Sequence, residues 1–130
     1  MSKIELARLL AAAGRALADA GVAGLSSDAR LDLAYRAIMQ AALAAMLANG
    51  YRPATSEPGH HQLLIQALPK TAGMPAERVR VLDAYRAARN HCDYLGVPVS
   101  DAVAQECAAD AAAVLQQVRA WLVAHYPELS

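Results

Sequence analysis

The chain is predicted to be all-α, on three observations. Its apolar residues fill 56% of 130 positions, yet Phe is absent and aromatics reach only 5%, so the core has to be built from Leu, Val, Ile, Met and chiefly Ala. Ala is the strongest helix former, and its small side chain lets helix axes approach closely. Every long segment between Gly and Pro punctuation repeats its apolar positions at helical spacing, and no run of alternating β-branched residues is long enough to make a strand. The length suits one domain, taken as residues 1–130.

The first helix is expected over about residues 3 to 20, with Leu6, Leu9, Leu10, Ala13 and Leu17 on one face and Glu5, Arg8, Arg15 and Asp19 on the other. Gly21 is read as its left-handed stop, and Ser26-Ser27-Asp28 as the N-cap of the second helix. That second helix, about 28 to 49, carries an Ala37, Ala41, Ala44, Ala48 stripe widened by Ile38, Met39, Leu43, Met46 and Leu47. It is apolar over more of its circumference than a peripheral helix needs, so it is placed at the centre of a bundle or in a dimer interface. Asp32 and Arg36 have the spacing of an i,i+4 pair.

Asn49-Gly50 ends this helix, and the loop from Tyr51-Arg52-Pro53 to Glu57-Pro58-Gly59 is the segment expected to move most. A short helix over about 60 to 68 follows, then a linker from Pro69 to Pro75. The next helix, about 76 to 94, buries Val79, Leu82, Tyr85, Ala88 and Cys92 and ends at Gly96 and Pro98. Ser100 caps the last, carried to about Ala124 by Val103, Cys107, Ala111, Val114, Val118 and Leu122. Four long helices and one short one make a four-helix bundle.

Twelve basic and twelve acidic residues cancel, which argues against a broad cationic surface for duplex nucleic acid; any such site must be local. Cys92 and Cys107 lie on different helices with no metal-ligand spacing and read as small core residues. The start, Met1-Ser2-Lys3-Ile4-Glu5, does not resemble a signal peptide, and no stretch approaches the uncharged length of a membrane span, so a cytoplasmic protein is expected. Met39, Met46 and Met74 read as packing, Trp121 as core or dimer interface, and His125 as a helix-end surface residue. There is no Gly-rich phosphate loop, no His or carboxylate pair for a metal and no Ser nucleophile motif, so neither cofactor nor metal is expected.

Chemistry is concentrated in Tyr85-Arg86-Ala87-Ala88-Arg89-Asn90-His91-Cys92-Asp93-Tyr94. Arg86, Arg89, Asn90 and Asp93 share one helix face, where guanidinium forks can hold a phosphate and an amide can orient a base or ribose. The plainer reading is an ion-pair network at a helix end, with Asp93 on Arg89 or Arg86. His60 and His61 sit at a helix start, with capping and solvent exposure as the plainer alternative.

The order of Gly50-Tyr51-Arg52-Pro53, Gly59-His60-His61, and Arg89-Asn90 with Asp93-Tyr94 between long helices resembles the HEPN domains. These are small up-and-down helical bundles of nucleotide-binding, RNA-processing and toxin–antitoxin proteins, and the resemblance covers roughly residues 30 to 124. Ribonuclease members of that family carry Arg, a polar residue, three more residues and then His, and pair two such motifs across a dimer without metal. Here the Arg89-Asn90 register puts Tyr94 where the His belongs. Arg86 to His91 is a literal match, but it has Ala87 at the polar position and sets the two side chains about 140° apart on the helix. The Arg89 register is preferred because Asn90 and Asp93-Tyr94 fit only there.

The resemblance implies an RNA- or nucleotide-binding domain using Arg86, Arg89, Asn90, Asp93, Tyr94, His60 and His61, weakly catalytic or non-catalytic. It also implies a homodimer and, as a further partner, a nucleotidyltransferase antitoxin. The alternative is a metal-independent endoribonuclease of toxin type, with Arg89 or Arg86 and with His91, His60 or His61 as base, since an imidazole takes a proton near neutral pH far better than a phenol. A third reading is a structural or partner-binding helical module.

Overall fold

A computed structural model describes residues 3–53 and 60–129, and all regular structure among them is helical. Six α-helices run in the order α1 (Lys3–Ala20), α2 (Ser27–Ala48), α3 (His60–Gln66), α4 (Leu68–Ala72), α5 (Ala76–Leu95) and α6 (Asp101–His125), with a 3-10 turn at Pro127–Leu129. Met1, Ser2, Ser130 and the 54–59 part of the loop expected to move, with the Gly59 of the Gly59-His60-His61 motif, lie outside the described residues.

The alanine stripe decides which helix is central. Ala34, Ala37, Ile38, Ala41, Ala42, Ala44 and Ala45 of α2 are fully buried. The most extensive packing on α2 comes from α1 and α6, and α3, α4 and α5 also touch it. Leu6, Ala13, Ala16 and Ala20 come from α1, and Cys107, Ala111, Val114, Val118 and Leu122 from α6. By length and composition α2 could span a bilayer, but 72% of its apolar window is buried inside this chain, as in a core helix. The same covering removes the α2 surface from which a dimer interface was inferred.

Two local expectations are corrected. Gly21 is not left-handed; Gly24 is, with φ 86°. The end of α1 is instead satisfied by Arg30, whose Nε donates to the Ala20 carbonyl at 2.8 Å and whose Nη2 donates to that of Val22 at 3.0 Å. A guanidinium from the next helix thus does what a left-handed glycine commonly does. The Pro69 to Pro75 linker is the second. Its first part is α4, with Pro69 in the first turn where a missing N–H costs nothing. Burial of Leu68, Thr71 and Ala72 holds that short helix, and Asn49 Nδ2 (2.9 Å to Thr71 O) and Gln117 Nε2 (2.8 Å to Ala72 O) fasten its last carbonyls. Tertiary partners therefore make a helix that local propensity does not announce.

Ser26 and Ser100 cap α2 and α6 as expected, accepting from Ala29 N and Val103 N. Asp28 accepts from Val99 N at 2.8 Å, and Ser27 donates to Asp101, so the starts of α2 and α6 are tied together. In contrast α5 buries only Leu82 and Tyr85. Its polar fastening to α6 is Asp110, which accepts from the Tyr85 hydroxyl and from Arg78 Nη2 at 2.9 Å.

Candidate functional site

The polar residues of α2 lie on the side that α1 and α6 leave open. Asp32, Arg36 and Gln40 recur every fourth position with Tyr35 and Met39 beside them, which is one helix face. Together with His61 of α3 and Arg89 of α5 they line a hollow of about 240 Å³. A second hollow of about 220 Å³ is lined by His60, His61, Gln62, Arg86 and Asn90. His61 borders both, so they are two lobes of one polar cleft among α2, α3 and α5.

Three guanidinium groups and one carboxylate, Asp32, line the cleft. Arg89 Nε lies 3.2 Å from Asp32 Oδ1 and 3.9 Å from Asp93 Oδ2, and its Cζ stands 5.4 Å from the centroid of the Tyr35 ring. It is thereby aimed by a carboxylate on another helix and an aromatic face beneath it. Arg86 is held from its own helix by Asp83 at 2.7 Å. Among the described residues Arg36 pairs with no carboxylate, because the expected partner Asp32 is taken by Arg89. The cleft thus has two oriented guanidiniums and one uncommitted one, the donor set that suits phosphate oxygens.

Tyr35 is only 2% exposed, and neither its hydroxyl nor the Oε1 of Gln40 finds a hydrogen-bond partner among the described residues. Burial pushes the Tyr35 phenol up to about 12, against the opposing pull of Arg89 and Arg86. At neutral pH it is a protonated donor. His61 stands with its ring centroid 6.0 Å from that of Tyr35 and 4.4 Å from that of His60. Its pKa is lowered by burial first, then by His60, Arg89 and Arg86, so near pH 7 it is neutral.

That lowering has a measurable consequence. Between its folded value and the ordinary 6.5 the unfolded chain binds the proton more readily, so this contribution to stability is complete above 6.5 and is lost as pH falls below it. The His61 imidazole, followed by NMR, is expected to titrate below 6.5. A midpoint at or above that value would mean the ring is not enclosed as described.

The sequence-predicted residues do not all meet. Arg86, Arg89, Asn90, His60 and His61 line the cleft, and Asp93 stands behind Arg89. His91 does not join them; it lines a separate hollow of about 260 Å³ with the Val97–Ser100 segment and Val103. The helical offset between Arg86 and His91 puts the two on different sides of α5. Tyr94 is 82% exposed. Sequence reasoning missed Tyr35, Arg36 and Gln40, although a polar stripe on an otherwise alanine-filled helix was a visible signal.

A larger hollow of about 400 Å³ between α1 and α6 is lined by Ala7, Leu10, Ala11, Leu122, Val123 and Leu129, with Arg119 as its one charged group. It offers no acid, base or nucleophile. No protein-family model and no curated protein matches the chain.

Proposed function

We propose that this chain is a HEPN-like up-and-down helical bundle that binds RNA or a nucleotide in the α2–α3–α5 cleft, with little or no catalysis. The carrying observation is the convergence of Arg36, Arg86 and Arg89 on one small cleft of a chain whose net charge is +0. Such a local donor cluster favours a phosphate held at a point over a duplex held along a surface.

Arg89→Ala is expected to weaken binding of a short fluorescent RNA or a nucleoside phosphate by about 1 to 3 kcal/mol, the usual worth of a charge-assisted hydrogen bond. The fold should survive, because a partly exposed ion pair such as Arg89 with Asp32 stabilises by at most about 1 kcal/mol. Binding should also weaken as salt is raised. Unchanged binding by a folded Arg89→Ala protein would remove this reading.

Pairing of two copies is part of the proposal. Support comes from the end of α5 and its following loop, where Tyr94, Leu95 and Val97 are exposed apolar groups beside the Arg89 helix end. Sedimentation is expected to show a two-chain species, and a monomer at tens of micromolar would exclude a shared cleft.

One observation favours metal-independent RNA cleavage as a second reading. His61 is a neutral imidazole bordering the same lobe as Arg89, the base form that removal of a 2′-hydroxyl proton requires. Cleavage of RNA in EDTA that disappears in His61→Ala would establish it, and its absence leaves the binding reading.

A further inference from the structure

Away from the cleft, with which it shares no residue, the hollow of about 400 Å³ between α1 and α6 falls within the roughly 300 to 1,000 Å³ of small-molecule sites. Ala7 and Ala11 stand one turn apart on α1, and their short side chains leave the space. Ile4, on the same row as Ala7, is 70% exposed and Val123 is 60% exposed, so apolar surface runs from the hollow out to solvent. Contiguous exposed apolar surface of this kind marks a binding site.

Charge enters at one end. Arg119 Nη2 donates to the Leu10 carbonyl at 3.3 Å and lies against Gly14, where a β-carbon would be 3.9 Å away. Leu129, beyond the last turn of α6, belongs to the other end. Among the described residues Arg119 has no carboxylate within ion-pairing distance, and neither has Arg15, one turn after Ala11. A guanidinium fastened by one bond to a carbonyl keeps its remaining N–H donors for an anion.

We propose that this hollow binds a medium-chain aliphatic carboxylate, a free fatty acid, with its alkyl chain along Ala7, Ala11 and Val123 and its carboxylate on Arg119. A single guanidinium matches a singly charged head, and no aromatic or amide side chain lines the hollow to recognise a base. The lining covers little more than one turn of each helix, Ala7 to Ala11 and Arg119 to Val123. That suits an alkyl chain and is too short for the several turns of a docked helix. The site is independent of the phosphate-binding reading above.

The test is calorimetric titration of the intact chain with octanoate, with butanoate, which shortens the chain, and with octyltrimethylammonium, which keeps it and reverses the charge. Octanoate is expected to bind once per chain, roughly tenfold or more tighter than butanoate, as the added methylenes leave water. It should also bind roughly three- to tenfold tighter than octyltrimethylammonium, and Arg119→Gln should erase that preference. Ala11→Leu fills the hollow and should abolish binding. Both positions are exposed, so the melting temperature of either variant should hold; Arg119→Gln decides alone if Ala11→Leu does not fold. Octanoate binding should be unchanged in Arg89→Ala. No binding of octanoate overturns the proposal, as does equal affinity for the two charges or full binding by a folded Ala11→Leu protein. Octanoate binding that is lost in Arg89→Ala and kept in Arg119→Gln overturns it too, by placing the carboxylate in the cleft.

Discussion

Gly73→Ala is expected to lower stability by about 2 to 5 kcal/mol, the largest single loss foreseen for a change of one methyl group. Two costs add. Gly73 ends α4 at φ 66°, where an L side chain is disfavoured by roughly 1 to 2 kcal/mol. A β-carbon there would also lie 2.6 Å from Cζ3 and 2.8 Å from Cε3 of Trp121. The indole is a rigid ring stacked on His125 at 3.6 Å between centroids, so making room means moving the ring as a whole. Forced overpacking of this kind costs about 1 to 3 kcal/mol. Gly96→Ala is the control. Its φ is 68° but a β-carbon would meet nothing within 4 Å, so only the conformational cost of roughly 1 to 2 kcal/mol should appear in urea unfolding. Equal losses for the two variants would show that Trp121 does not press on α4.

Asp110→Ala should cost about 1 to 3 kcal/mol, and it reaches the cleft without touching it. Asp110 accepts from the Tyr85 hydroxyl and from Arg78, and Tyr85 is buried. Truncation strands a phenol that already has its pKa raised by burial and then by the bond to Asp110. An orphaned buried donor carries its full desolvation penalty, whereas Arg78 can turn to water. Because α5 has few buried side chains of its own, loosening this tie should also weaken ligand binding by Arg86 and Arg89, which ride on it. Adding Tyr85→Phe to Asp110→Ala removes the stranded hydroxyl and should recover part of the stability, a coupling that a double-mutant cycle measures. No recovery would place the cost elsewhere.

The long helices were legible because composition and period agree. The Ala37, Ala41, Ala44, Ala48 stripe announced a closely packed central helix, and Ser26 and Ser100 announced the caps that begin α2 and α6. On α5, Arg86, Arg89 and Asn90 share a face by spacing alone, and all three reach the cleft. Spacing fails where the partner lies on another helix. Asp32 has an i,i+4 neighbour in Arg36 yet is bound by Arg89, fifty-seven positions away. His91 is adjacent in sequence to Asn90 but turns to another hollow, because successive residues on a helix point about 100° apart.

Sequence by itself determined the helical class, the apolar breadth of α2 and the face of α5 that carries the arginines. These depend on side-chain size, period and capping chemistry within a single segment. Tertiary structure alone decided that Pro69 lies in the first turn of a helix, that Arg30 and not Gly21 closes α1, and that α2 spends its apolar surface inside the chain. It also decided the site. Tyr35, Gln40 and His61 acquire chemical character only when helices distant in sequence enclose them, since burial and the loss of water partners make a hydroxyl an orphan and an imidazole neutral.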